Sequence, residues 1–253
     1  MNVLAFFAHP DDETIMAGGT LALLANQGAR VHYLCATRGE GGEAGEPPIC
    51  TRQGLPAVRA AEFACAVGAL NGSSHHFLDY VDPTVGAENE LYPFSDDPQG
   101  VADALRAHLL HIKIDALISH GSKGEYGHPA HLLCHQASRQ AVLSLGSRAP
   151  LFYTVQPAFD EHPKPHIVNP DDPAHLVLNT ESVTAQVLQA IGCHRTQHAL
   201  FVRNASKRLG RAVDLSEIVV CREGLHCALP AVEGSPQDRL AELLRSSGCI
   251  VEG

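Results

Sequence analysis

Two short stretches of the sequence concentrate side chains that bind metals and move protons. The first, His9-Pro10-Asp11-Asp12-Glu13, directly follows the apolar run of residues 3–8. Three acids this close repel one another, and a bound divalent cation would offset that repulsion. The second stretch lies much further along the chain and contains four histidines: His120, His128, His131 and His135. Together the two stretches indicate metal-assisted chemistry.

The spacing of these residues fits a catalytic zinc site. Such a site uses three protein ligands and keeps one position open for water. A histidine and an aspartate of the first loop can both point at one ion, and His131 can reach it from the first turn of its helix. His128 lies three residues earlier and can reach the same region without being a ligand. One carboxylate, either Asp11 or Asp12, is left beside the metal, where a hydrolase needs a base for the water.

Each stretch also has a simpler interpretation. The segment HPDD alone could be a turn in which an aspartate caps the next helix. His131 and His135 could hold zinc on one helix face, but Leu132 stands where an HExxH motif has its glutamate. A similar segment at residues 169–175 lies in a proline-rich region with no strand before it, and we interpret it as a turn.

Strand-like and helix-like segments alternate along the chain and place both stretches at one edge of a sheet. The predicted strands are 3–8, 30–36, 76–80, 115–119 and 151–155, with a short one near 217–221, and the predicted helices are 13–26, 55–70, 101–113, 129–145 and 181–192. This alternation predicts an α/β fold, a three-layer Rossmann-like sandwich with a mostly parallel central sheet. Ligands of such sheets bind beyond the carboxyl ends of the strands. Since no repeat or linker is visible, we predict a single domain over residues 1–253.

Composition and charge exclude two classes of partner. The net charge is −10 with histidines neutral, whereas a nucleic-acid binder needs a basic face and a membrane anchor of the polybasic kind needs basic clusters. We expect no membrane span and no signal peptide. Eight cysteines without CxxC spacing predict reduced, mostly buried thiols in a cytoplasmic protein. The sequence leaves open whether the chain forms a homo-oligomer.

A glycine-rich segment at residues 39–46 follows the second predicted strand. Its spacing is GxGxxxG, not the GxGxxG of a dinucleotide site, and Glu40, Glu43 and Glu46 would repel a pyrophosphate. A sugar-binding or metal-site rim is the better interpretation.

Several of these segments occur in the order and spacing of a known family. They are AHPDDE at 8–13, CATRGEGGEAGE at 35–46, the R-x-x-E of Arg59 and Glu62, YGHPAH at 126–131 and, more weakly, H-R-T-Q at 194–197. In this combination the sequence resembles the PIG-L/LmbE family of metal-dependent amino-sugar N-deacetylases, over roughly residues 1–200.

The resemblance implies a catalytic centre. Zinc would be held by His9, Asp12 and His131, although iron or another divalent ion suits the same ligand types. Asp11 would be the general base. His128 would stabilise the oxyanion as an imidazolium, with Tyr126 assisting at the rim.

The resemblance also implies a substrate, a small-molecule amino sugar whose N-acetyl group is removed by hydrolysis. Arg59 and Glu43 would face the sugar. The alternatives are an amidase acting on another N-acyl group or a thiol conjugate, and a homologue that binds metal or sugar without catalysis. The family usually has aspartate where this chain has Ala130, and its loss weakens the imidazolium form of His128 unless Asp115 or Glu125 replaces it.

Overall fold

From β1 to β5, strands and helices alternate along the chain, as the sequence predicts. The computed structural model describes residues 1–251. Its strands are β1 (Asn2–Phe7), β2 (Arg30–Thr37), β3 (Ser74–Tyr80), β4 (Ala116–Ser119), β5 (Leu151–Val155), β6 (Pro157–Ala158), β7 (Asn169–Pro173), β8 (Leu176–Asn179) and β9 (Arg222–Leu229). Its helices are α1 (Asp12–Asn26), α2 (Leu55–Ala69), α3 (Pro98–Ile112), α4 (Gly124–Gly127), α5 (Pro129–Ser144), α6 (Thr184–Cys193), α7 (His198–Leu209) and α8 (Arg239–Ser246).

A seven-stranded sheet in the order β3-β2-β1-β4-β5-β9-β8 forms the middle layer. The first five strands in this order run parallel, β9 pairs antiparallel with β5, and β8 pairs antiparallel with β9. The strand order reverses between β1 and β4, because β2 and β3 lie on one side of β1 and β4 and β5 on the other. Such a reversal leaves a crevice at the carboxyl edge of the sheet. The predicted α/β class with a mostly parallel sheet is confirmed.

Apolar side chains cover both faces of the sheet. Along β1, Val3 and Phe7 belong to one core cluster with residues of α1, α2 and α6, whereas Leu4 and Phe6 belong to a second with residues of α3 and α5. Burial on both faces explains why β1 is a continuous apolar run instead of an alternating one.

The end of the chain departs from the sequence prediction. The strand expected near 217–221 begins later, at Arg222. The sequence does not indicate this start, because the strand opens with charged residues and one of them, Glu223, is buried. The segment Asn169–Pro173, interpreted as a turn, is instead the short strand β7, which pairs with β6. Its two prolines obscured this, although proline is tolerated in an edge strand.

One pair of cysteines corrects the expectation of fully reduced thiols. Cys65 on α2 and Cys193 at the end of α6 form a disulfide, with Cα atoms 5.7 Å apart. The two residues are 128 positions apart in sequence, so their proximity depends on the packing of α2 beside α6. The predicted cytoplasmic location, which rested on reduced cysteines, stays a prediction. Within residues 1–251, no helix is both long and apolar enough to span a bilayer.

Helix α3 offers a test of the core assignment. Leu105 is fully buried against the sheet, whereas Leu110 on the same helix is exposed. We expect Leu105→Ala to lower the free energy of unfolding by about 2–5 kcal/mol, because it leaves a cavity, and Leu110→Ala to change it by roughly 0.5 kcal/mol or less. Urea denaturation followed by circular dichroism measures both. Equal losses in the two variants would contradict this packing.

Candidate active site

The first loop holds its acids through contacts with its own backbone. Asp11 has a φ of 118° and occupies the N-cap position of α1, without a capping hydrogen bond from its side chain. Its backbone N–H donates to Oε2 of Glu13 (3.0 Å). Oδ2 of Asp12 accepts a hydrogen bond from the backbone N–H of His9 (2.9 Å). These bonds turn the chain tightly after β1, so both aspartates are buried at the edge of the sheet.

The second loop meets the first because β1 and β4 are neighbours. Phe6 pairs with Ser119, the last residue of β4. His120 follows directly, and His131 lies in the first turn of α5. Nε2 of His131 is 3.5 Å from Oδ1 of Asp12, and Nε2 of His120 is 3.5 Å from Oδ2.

Glu125 orients both histidines toward Asp12. Its Oε2 accepts hydrogen bonds from Nδ1 of His131 (2.7 Å) and Nδ1 of His120 (2.9 Å). Its Oε1 accepts from the backbone N–H of Gly121 (2.8 Å). A carboxylate at Nδ1 fixes the tautomer of a histidine and makes Nε2 the free electron-pair donor, as is usual around metals.

The arrangement of donor atoms suits a divalent metal. The buried Nε2 of His131 has no hydrogen-bond partner. Nε2 of His120, in contrast, accepts the backbone N–H of Ala8 (3.1 Å), so its electron pair is already used. Two sets of three donor groups, each within 4.8 Å of one another, could hold an ion: His9, His128 and His131, and Asp12, His120 and His131. The predicted ligands lie in the same cluster, since Nδ1 of His9 is 3.2 Å from Asp12.

The two neighbouring aspartates have opposite electrostatic environments. Burial opposes ionisation of Asp12, but His131, His120 and His9 together hold the pKa of that carboxyl well below its usual range. Burial raises the pKa of Asp11 to about 7, against the lowering effect of the Arg59 guanidinium. Asp12 is therefore an anionic carboxylate, whereas Asp11 can exchange a proton near neutral pH.

Arg59, expected to face the sugar, lies behind Asp11. Its guanidinium contacts Oδ2 of Asp11 (3.2 Å) and donates to the carbonyl of Gly39 (3.0 Å), and the residue is 3% exposed. Gly39 has a φ of +67°, and a Cβ there would collide with the guanidinium. The glycine-rich loop thus packs on Arg59 and closes the space behind Asp11.

Glu43 lies at the surface of the same loop. Its carboxylate forms an ion pair with Arg203 of α7, and its backbone carbonyl accepts a hydrogen bond from Gln197 (2.8 Å). The segment Gly39–Glu43 is therefore tied to α2 on one side and to α7 on the other.

His128 and Tyr126 stand at the mouth of the cluster. Nδ1 of His128 accepts the backbone N–H of Ala130 (3.2 Å), which caps α5. Burial, with His131 and His9 nearby, lowers the pKa of His128 to about 3. The geometry thus describes a neutral His128 whose Nε2 can donate, not an imidazolium. Tyr126 is exposed, with its ring centroid 5.7 Å from that of His128.

Neither candidate substitute for the usual aspartate reaches His128. Glu125 is engaged by His120 and His131. Asp115 accepts a hydrogen bond from the backbone N–H of Asn2 (2.7 Å), at the opposite end of β1.

Two supporting residues were not anticipated from the sequence. Oδ1 of Asp82 lies 3.2 Å from Nε2 of His9. Its signal was its position just after β3, at the carboxyl edge of the sheet. Oδ1 of Asn169 accepts the backbone N–H of Glu125 (3.1 Å), and its Nδ2 donates to Oε1 of Glu125 (3.3 Å). No signal marked Asn169, because it lies in the segment interpreted as a turn.

The weak H-R-T-Q segment supports the first loop. Nε2 of His194 lies 3.1 Å from Oε1 of Glu13. Thr196 donates from its hydroxyl to Glu62 (2.6 Å) and from its backbone N–H to the same carboxylate (2.8 Å). The segment therefore joins α2 to the loop that carries Asp11.

Comparison with known proteins identifies the family. The protein-family model PIG-L, described as GlcNAc-PI de-N-acetylase, matches residues 4–142, more than half of the chain. The chain belongs to the PIG-L family. The resemblance predicted from the sequence is thereby confirmed.

Two relatives of this PIG-L protein align over most of its length. A 1D-myo-inositol 2-acetamido-2-deoxy-alpha-D-glucopyranoside deacetylase of Kineococcus radiotolerans is 30% identical over 249 residues, covering 78% of this chain and 69% of the relative. A probable N-acetyl-alpha-D-glucosaminyl L-malate deacetylase of Bacillus cereus is 31% identical over 199 residues, covering 78% and 83%. The chain spans about half the length of several other curated relatives that it matches.

A solved structure of a 4-carboxy-2-hydroxymuconate hydratase from Pseudomonas putida shares the fold. Its TM-score is 0.62 at 23% identity, with 93% of this chain and 99% of the hydratase covered. This similarity supports the architecture and carries no information on the reaction.

The Glu125 contacts predict a measurable effect on metal affinity. Glu125→Gln keeps a hydrogen-bond acceptor but removes the negative charge that makes the histidines strong donors. We expect the affinity for Co²⁺ to fall roughly 10–100-fold, measured by visible absorption in competition with a chelator. Asp171→Asn is the matched control, since it also removes one negative charge, but from an exposed acid that pairs with Lys123 (2.8 Å). An unchanged affinity in Glu125→Gln, or equal losses in both variants, would refute this role.

Proposed function

We propose that the protein is a metal-dependent N-deacetylase that hydrolyses the acetamido group of an amino-sugar conjugate to a free amine and acetate. The observation that carries the proposal is the division of labour between Asp12 and Asp11. Asp12 faces the histidine cluster, whereas Asp11 is held apart from it by Arg59. A site that only binds metal has no need of a second, separately supported carboxylate. The family and the names of the two relatives support the substrate class.

We assign the metal ligands to His9, Asp12 and His131. The partnerless Nε2 of His131, the carboxylate behind its Nδ1, and the anionic Asp12 suit zinc. Two histidines and one carboxylate also suit Fe²⁺. When bound, such a metal supplies Lewis-acid chemistry, acidifying a water molecule and polarising the acyl oxygen.

Asp11 acts as the general base in this proposal. It accepts a proton from the attacking water and later returns one to the departing amine. Arg59 holds the Asp11 carboxylate in place through the 3.2 Å contact. Arg59 thus acts through Asp11, because its guanidinium is engaged by Asp11 and Gly39.

His128 acts as a neutral hydrogen-bond donor. With Nδ1 accepting from Ala130, its Nε2–H can donate to the oxygen that becomes negatively charged as the carbonyl is attacked. Such a donor typically contributes about 10²–10³ to the rate. A neutral donor has no need of the aspartate that Ala130 replaces. Tyr126 flanks this position at the mouth.

The sugar and its attached group lie at the rim. Glu43 is the proposed contact with the sugar from the glycine-rich loop, although its present partner is Arg203. The net charge of −10 fits a small-molecule substrate, and a homo-oligomer and a cytoplasmic location stay predictions. An amidase acting on another acyl group is the alternative within the same chemistry.

Acetate release tests the proposal directly. The zinc-loaded protein and a chelator-treated control are assayed against N-acetylglucosaminides that carry inositol, malate, alkyl and aryl groups. We expect release that depends on the metal. Release from N-propionyl or thiol-conjugate analogues alone would replace deacetylation by a broader amidase activity. No release from any compound while zinc stays bound would favour a non-catalytic homologue.

Substitution of each aspartate separates the two roles. We expect Asp11→Asn to lower kcat by about 10²–10⁴, because the base is lost, while the bound metal content equals that of the wild type. Asp12→Asn should lose metal and activity together. Metal analysis and acetate release on the same samples measure both. An Asp11→Asn enzyme with more than a tenth of the wild-type kcat would exclude Asp11 as the base.

A further inference from the structure

Helix α1, which begins at the proposed ligand Asp12, is contacted along its next residues by three buried side chains. In an α-helix, the carbonyls of Ile15 and Met16 face the N–H groups of Gly19 and Thr20. The Ile15 carbonyl accepts from Nζ of Lys164, and the Met16 carbonyl accepts from Nε2 of Gln156 (2.8 Å).

The N–H groups that face these two carbonyls along the helix bind one carboxylate. Oε1 of Glu223 accepts the N–H of Gly19 (2.8 Å), and Oε2 accepts both the N–H of Thr20 (2.8 Å) and its hydroxyl (2.7 Å). Side chains therefore bind both the carbonyl and the amide partners of two consecutive helical hydrogen bonds.

These three side chains are costly to bury. Gln156, Lys164 and Glu223 are only 3–4% exposed. Burial lowers the pKa of Lys164 to about 8 although Glu223 opposes this, and burial raises the pKa of Glu223. Apolar residues could cover a regular helix at lower cost. Stability therefore does not explain why these polar side chains are buried here. Their position one turn after Asp12 indicates a role at the proposed metal site.

Gln156 also reaches the second loop. Its backbone carbonyl accepts the N–H of Asn169 (2.8 Å) and lies 3.2 Å from Nδ2 of the same residue. Asn169 in turn holds Glu125, the carboxylate behind His131. Gln156 has a φ of +52°, which side-chain-bearing residues rarely adopt, so its backbone and side chain can face different loops.

We propose that Gln156, Lys164 and Glu223 are positioning residues for the metal site. Lys164 and Glu223 hold the backbone of α1 at Ile15, Gly19 and Thr20, and so fix the helix that carries Asp12. Gln156 holds the same helix through its side chain, and it supports His131 through Asn169 and Glu125. It thus sets the distance between the ligands of the two loops. This inference rests on the proposed metal site and not on the identity of the substrate.

The test substitutes the donor without changing its size. Gln156→Met replaces the side-chain amide, which donates to the Met16 carbonyl, by a thioether, and Gln136→Met makes the same chemical change at an exposed position of α5. We expect Gln156→Met to bind Zn²⁺ roughly tenfold more weakly in chelator competition and to shift the visible absorption bands of the Co²⁺ protein. Gln136→Met should leave both unchanged. Thermal unfolding of the metal-free proteins shows whether the fold is retained.

Two further variants keep the test decisive if Gln156→Met does not fold. Gln156→Gly removes the same donor but suits the positive φ, and Glu223→Gln tests the contacts with Gly19 and Thr20. If the wild type binds neither Zn²⁺ nor Co²⁺, the proposed metal site itself is wrong. If the wild type binds and the folded variants at 156 and 223 match it in affinity and spectrum, the positioning role is overturned.

Discussion

Asp12 is an ionised carboxylate inside the protein, and much of the surrounding structure serves to keep it so. Isolated burial of such a charge would cost several kcal/mol. Three imidazoles face it, and the acids Glu125 and Asp82 stand behind them. Negative and positive groups therefore alternate outward from Asp12. This alternation fixes the direction of each histidine ring, so the donor atoms converge before any ion arrives.

Asp11, the neighbour of Asp12, lies in a different electrostatic environment. Its backbone has a φ of 118°, and its carboxylate pairs with Arg59 and not with the histidines that face Asp12 in the part of the chain that the structure describes. The glycine-rich loop can approach Arg59 closely because Gly39 has no side chain. One sharp turn thus separates a group that stays charged from a group that can gain and lose a proton.

The sequence predicted the parts of the site that are continuous. The AHPDDE and GHPAH segments each follow an apolar strand, so the parallel-sheet rule placed them together without knowledge of the packing. Supports assembled from distant segments were not predictable. Asn169 reads as part of a turn, and the contact of Cys65 with Cys193 depends on how α2 packs beside α6. The neutral state of His128 also needed the structure, since it follows from the capping contact with Ala130. Ala130 itself was visible, but its consequence was not.

The bond between Gly19 and Glu223 joins residues 204 positions apart. A ribosome releases α1 well before β9, so the supports of the helix that carries Asp12 do not exist until about 200 further residues have been made. Contacts this distant in sequence are formed late and slowly. During that time, its buried leucines, such as Leu21 and Leu24, lack most of their final cover. The nascent protein is therefore expected to be a better client for chaperones than the finished one.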